Sequence, residues 1–118
     1  TIPIWLGGES RQQLERVGKF ADGWHATAKS LPTLTGDFAI AREAAERAGR
    51  DPGALSLSIE GAGIIGSEGN ERTVEQLAAI AARGVSHAVL LVNPRENDHA
   101  EDVIRAFGEQ HLQTVHDL

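Results

Sequence analysis

Gly7-Gly8-Glu9-Ser10 is the stretch of this chain whose residue types best suit an anion. Glycines let backbone approach a ligand closely, and the free N–H groups of a first helical turn point at it. Before them, Ile4-Trp5-Leu6 is a short apolar run with a β-branched and an aromatic residue, which reads as a buried strand. After them, Glu9-Ser10 opens a helical pattern through Leu14, Val17 and Phe20. A strand, a glycine turn and a helix N-terminus make a place where a phosphate can sit. The same residues also make a tight turn that binds nothing, and the stretch by itself leaves both readings open.

Trp24 and His25 are the next candidates. A Trp ring can stack on a planar ligand, and an imidazole can shuttle a proton or donate a hydrogen bond. The plainer reading is a Trp packed on a helix and a His satisfied at a strand end. Glu60 follows an apolar–polar alternation, where a barrel would place a catalytic or orienting carboxylate. A solvated strand-end acid has the same signature. Lys29, His87, and the pair Asn93 and Arg95 are weaker candidates: respectively a loop cation, a His inside an apolar run, and polar residues just past it. His99, His111 and His116 are too scattered for a metal site, so no metal is expected. There is no nucleophile elbow to support hydrolase chemistry.

Elements must position these residues. The first strand, around Ile4–Leu6, leads into a helix from about Ser10 to Phe20, and Trp24-His25-Ala26 is a short second strand. Pro32 breaks the chain before a helix from Leu34 to Ala48, with Phe38, Ala41, Ala45 and Ala48 on one face and Gly49 as its stop. Leu55–Ile59 alternates like a strand with two unlike faces, and Gly61, Gly63 and Gly66 mark a loop, with Ser67–Asn70 polar and mobile. Glu71–Arg83 is a helix with Val74, Leu77, Ile80 and Ala81 as its stripe. Val85–Val92 is the most apolar stretch and reads as a fully buried parallel strand. A last helix, from about Ala100 to His111, turns Val103, Ile104 and Phe107 inward.

The order is therefore four βα units, an α/β chain with a parallel sheet and right-handed crossovers. Strand starts are roughly 20 to 33 residues apart, near the unit length of a (β/α)8 TIM barrel, so residues 1–118 read as one (β/α)4 half-barrel. A doubly wound sheet is the rival, and strand order separates the two.

Composition bounds the partners. The 118 residues carry a net charge of −6, which argues against nucleic acid or an anionic membrane. No apolar run approaches a membrane span of about 20 residues, and no signal peptide is visible, so the expected compartment is the cytoplasm. Cysteine is absent, which removes disulfides and thiolate chemistry. Thr1 stands directly before a strand and no Met occurs, which suggests a chain whose beginning has been removed or cut at an element boundary.

PIWLGGESRQQLERVGKFADGWH, with Ala48-Gly-Arg-Asp-Pro52 and the later ARGVSHAVLLV, resembles the luciferase-like monooxygenase superfamily. The resemblance covers the whole chain and maps to strands five to eight of that family's (β/α)8 barrel. It implies an oxidoreductase using FMN or a deazaflavin coenzyme on a small organic substrate. It further implies that Gly7, Gly8, Glu9 and Ser10, with Gln13 one turn on, contact the cofactor's phosphate end. Trp24 would border the cofactor, and His25 and Glu60 would face the reacting end. Glu9 is awkward beside a phosphate and must act through its backbone or turn its carboxylate toward a cation. The family's Gly-Thr-Pro-Glu-like cap is replaced by the longer Gly66–Thr73 segment. Half a barrel leaves two strand edges and one sheet face uncovered. The expected partner is therefore the missing N-terminal half or a second copy related by a two-fold axis. The non-catalytic alternative is a self-associating half-barrel or a small anion-binding module.

Overall fold

The Ser10 hydroxyl oxygen accepts the Gln13 amide at 3.1 Å and so caps the first helix, α1 (Arg11–Phe20). The computed structural model describes residues 1–118. α1 follows strand β1 (Trp5–Leu6) and precedes β2 (Gly23–Thr27). A 3-10 segment, Ala28–Thr33, holds Pro32 and leads into α2 (Leu34–Arg47), after which Gly49 takes a positive φ of 75°. β3 (Ser56–Ile65), α3 (Asn70–Ala81), β4 (His87–Val92) and α4 (Ala100–His116) complete four βα units. The strands lie parallel in the order β1-β2-β3-β4. Neighbours in sequence are neighbours in the sheet, as in an arc of a barrel, and no switch point occurs.

Helices cover one face of this sheet. Leu14 and Val17 of α1, Leu34 and Ala41 of α2, and Leu77 and Ile80 of α3 bury against Trp24, Ala26, Leu57 and Ile59. α1 and α2 approach backbone to backbone, since a Cβ on Gly18 would collide with the Ala41 carbonyl. Arg50 ties the same corner, donating to the carbonyls of Gly18 and Ala21, the latter at 2.7 Å. That contact satisfies carbonyls left open at the end of α1. A second, smaller cluster joins Ile65 to Val103 and Phe107 of α4.

The structure corrects several expectations drawn from the apolar pattern. Ile4–Leu6 is not a buried strand: β1 is a two-residue edge, and Ile4 is exposed because no strand lies beyond it. Val85–Val92 is not fully buried either, since β4 is the opposite edge and Val89 and Leu91 face outward from the sheet's open side. Phe20 and Ile104 are exposed, and so is Ala48, which falls just past the end of α2. The loop expected from Gly61 onward is strand. β3 continues to Ile65 through an irregularity between Glu60 and Ile64, with Gly61 at φ 77°. Leu57, Ser58 and Ile59 are all buried, so the two faces of β3 differ in polarity but not in burial there.

Candidate active site

Side chains alternate across a strand, so every residue beside a core position points to the sheet's other face. Register stacks these residues in layers. Trp5, Gly23 and Ser56 lie lowest, then His25, Ser58 and His87, then Thr27, Glu60 and Val89 nearest the C-terminal strand ends. The Trp5 ring crosses above Gly23, where a Cβ would strike it, and reaches the His87 ring with centroids 4.8 Å apart.

His25 occupies the middle layer between two partners. Its Nδ1 is 2.7 Å from the Ser58 hydroxyl, and its Nε2 is 3.8 Å from Glu60 Oε1. Glu60 is about half exposed and stands one layer closer to the mouth. The structure thus places the two candidates His25 and Glu60 side by side, with Ser58, which the sequence reading did not single out, beneath them. The signal existed: Ser56, Ser58 and Glu60 share one face of an alternating strand.

The Gly7–Ser10 turn closes the end of β1. Gly8 has φ 106°, a conformation that costs an L side chain, and a Cβ there would also press on Gln13. Its carbonyl accepts the Trp24 indole N–H at 2.9 Å. The amides of Gly8, Glu9 and Ser10 donate to nothing within the chain. Glu9 turns its carboxylate aside, accepting the Thr27 hydroxyl at 3.2 Å, so its partner is a neutral group and not the cation expected. Ser10 accepts through its oxygen and keeps its own proton to donate. Gln13 packs beneath Gly8, with its Oε1 accepting from Arg16 at 3.3 Å.

Trp24 is corrected from its expected role. The ring is fully buried in the core, so it has no face to offer a planar ligand. Its contribution is to hold Gly8 from below.

Glu9, Lys29 and Glu60 meet in one cleft of about 360 Å³ at the C-terminal strand ends, with Thr27, Gly61 and Leu91. Active sites of (β/α)8 barrels lie at this end. Asn93 and Arg95 are not drawn in: the Asn93 side chain accepts the Arg95 amide at 3.1 Å and builds a local turn. His87 bonds its neighbour Ser86 at 2.9 Å and lies on Trp5. The Gly66–Thr73 segment is fastened to itself. Asn70 holds both the amide and the carbonyl of Gly66, and Thr73 donates to the Ile64 carbonyl. Glu96 accepts the Ser67 amide, and the Ser67 contacts hold its carboxyl below the usual carboxylate range, with a smaller contribution from His99.

A family model described as luciferase-like monooxygenase matches residues 1–116. Among solved structures, an F420-dependent secondary alcohol dehydrogenase in complex with an F420-acetone adduct superposes with a TM-score of 0.67 at 13% identity. The match covers 90% of this chain and 48% of that one. A coenzyme F420-dependent tetrahydromethanopterin reductase from Methanopyrus kandleri superposes at TM-score 0.50 and 18% identity, over 97% of this chain and 33% of that one. At such identities the likeness is one of fold, and this chain spans less than half the length of either structure. A search of curated proteins gives no match.

Proposed function

Because this chain belongs to the luciferase-like monooxygenase family, we propose that it is the C-terminal half of a flavin- or deazaflavin-dependent oxidoreductase barrel. In this reading the Gly7–Ser10 turn holds the phosphate end of FMN or of the deazaflavin coenzyme. The observation that carries it is the run of amides at Gly8, Glu9 and Ser10 that have no partner in the chain, opening on a helix N-terminus. Consecutive unpaired amides of this kind form a concave anion site, and the helix dipole adds to it. The residues fit the group: Gly8 needs no Cβ, Ser10 retains a proton to donate, and the Glu9 carboxylate is held away by Thr27.

When bound, the coenzyme supplies the two-electron redox chemistry, and the protein supplies orientation and a dry pocket. Gly7 to Ser10 and Gln13 fix its tail, while His25 and Glu60 face the reacting end and a small organic substrate. Such an enzyme works in the cytoplasm. No helix here is long and apolar enough to cross a membrane.

The open sheet face requires cover. Trp5, Val89 and Leu91 are 37%, 50% and 52% exposed on it, and the outer edges of β1 and β4 are unpaired. In the oxidoreductase reading, the barrel's N-terminal half supplies that cover. The same apolar face supports a second reading, a non-catalytic homodimer in which β4 of each copy meets β1 of the other.

Titration of the purified chain with FMN, and in parallel with the deazaflavin coenzyme, tests the proposal by fluorescence. The expected result is saturable binding of one coenzyme, weakened by inorganic phosphate and lost in Ser10→Glu. Binding of neither would leave the homodimer reading, which sedimentation at rising concentration would then show or refute.

A further inference from the structure

We propose that Ser58 is a positioning residue that holds His25 in its Nε2–H form, so that a hydrogen-bond donor and not an acceptor faces Glu60 and the mouth of the sheet. This rests on the reading that His25 borders the reacting end of the site. The two ring nitrogens of a neutral imidazole are one donor and one acceptor, and their partners decide which is which. On the mouth side stands the Glu60 carboxylate, which only accepts, 3.8 Å from Nε2. Behind the ring stands the Ser58 hydroxyl, which has one proton to give, 2.7 Å from Nδ1. That length suits an O–H donor better than an N–H donor. The hydroxyl's other neighbour, the Trp24 carbonyl, is 3.4 Å away and competes weakly.

Both partners therefore favour the same tautomer. Ser58 is 1% exposed, so its proton has no water to turn to, and an unmade bond there would carry a desolvation cost. Burial also excludes Ser58 as a nucleophile, although Ser58, His25 and Glu60 together resemble a hydrolytic triad in composition. Ser58 serves the ring's rear nitrogen and cannot reach a substrate. The consequence is chemical: neutral His25 gives a hydrogen bond at Nε2, as would suit an oxygen that gains negative charge, and takes no proton there.

Nitrogen-15 NMR of histidine-labelled full chain reads this directly, at about pH 9 where imidazoles are neutral. His25→Asn identifies the His25 signals among the five histidines. The expected spectrum has His25 Nδ1 at the unprotonated position and Nε2 protonated. Ser58→Ala should move both nitrogens toward the average of exchanging tautomers, and Ser58→Thr should restore the original pair. A protonated Nδ1 in the unaltered chain overturns the proposal even if Ser58→Ala fails to fold. An unchanged tautomer in a folded Ser58→Ala chain overturns it too. No coenzyme enters the measurement, so its failure and a failure of coenzyme binding are told apart.

Discussion

The two faces of this sheet are built on opposite rules. Trp24, Leu57 and Ile59 look toward the helices, and each is sealed to 1% exposure or less. One residue along, His25, Ser58 and Glu60 look the other way, and there the side chains are polar, with His25 hydrogen-bonded to Ser58 and 3.8 Å from Glu60, and increasingly open toward the mouth. Strand alternation alone separates stability from chemistry, since a one-residue step moves a side chain from one role to the other. Around β2 and β3 the first face is covered within this chain, whereas along β4 it opens into an apolar groove against α3 and α4. The second leaves Trp5, Val89 and Leu91 exposed at 37%, 50% and 52%.

The two tryptophans test that division most strongly. Trp24→Ala should destabilise the chain by about 3–5 kcal/mol, through a core cavity and a lost bond to the Gly8 carbonyl. Trp5→Ala, on the open face where the ring is 37% exposed, should cost less, about 1–3 kcal/mol in the isolated chain. Equal costs in urea unfolding would mean that the open face is already covered. Next comes Gly18→Ala. A methyl there meets the Ala41 carbonyl, and forcing α1 from α2 should cost about 1–3 kcal/mol. Gly36→Ala, where a Cβ would meet nothing within 4 Å, should instead stabilise α2 by about 0.5–1 kcal/mol.

Gly8→Ala sits at the joint between the faces. Its positive φ should cost about 1–2 kcal/mol, and anion binding should fall by more than stability does. The smallest effect concerns Glu96. Its folded pKa lies below the ordinary value, so its contribution is present above that value and is lost as pH falls through the lowered one. Ser67 should therefore lose amide protection, measured against its intrinsic exchange rate, as pH falls through the lowered Glu96 value, while Glu96→Gln should show no such acid step.

How much of this was legible in the sequence depends on which physical signal each element left. The four βα units and the barrel-like order were readable, because period and caps are local: Ser10 starts α1, and Gly49 follows α2. The Arg50 side chain, by contrast, binds carbonyls more than two dozen residues earlier, and no local pattern announces that. The length of β3 was hidden by Gly61 and Gly63, which read as loop. Gly63 is in fact a close approach, where a Cβ would press on Thr73 and Leu90. The exposure of β4 was hidden for a different reason: an apolar run says strand, but says nothing of whether a neighbour lies beside it. At the site, Gly8, His25 and Glu60 were legible by type. Trp24 was misjudged because parity along β2 was not followed, and it places Trp24 with Ala26 on the helix side. The same parity on β3 would have found Ser58.

The central claim is that Gly8, Glu9 and Ser10 present an anion site at the edge of the open face. Amide NMR of the labelled chain during titration with inorganic phosphate tests it with no coenzyme in hand. The account predicts saturable shifts centred on the amides of Gly8, Glu9 and Ser10, and their loss in Ser10→Glu. Shifts centred on the glycines from Gly61 to Gly69, or none at any residue, would contradict it.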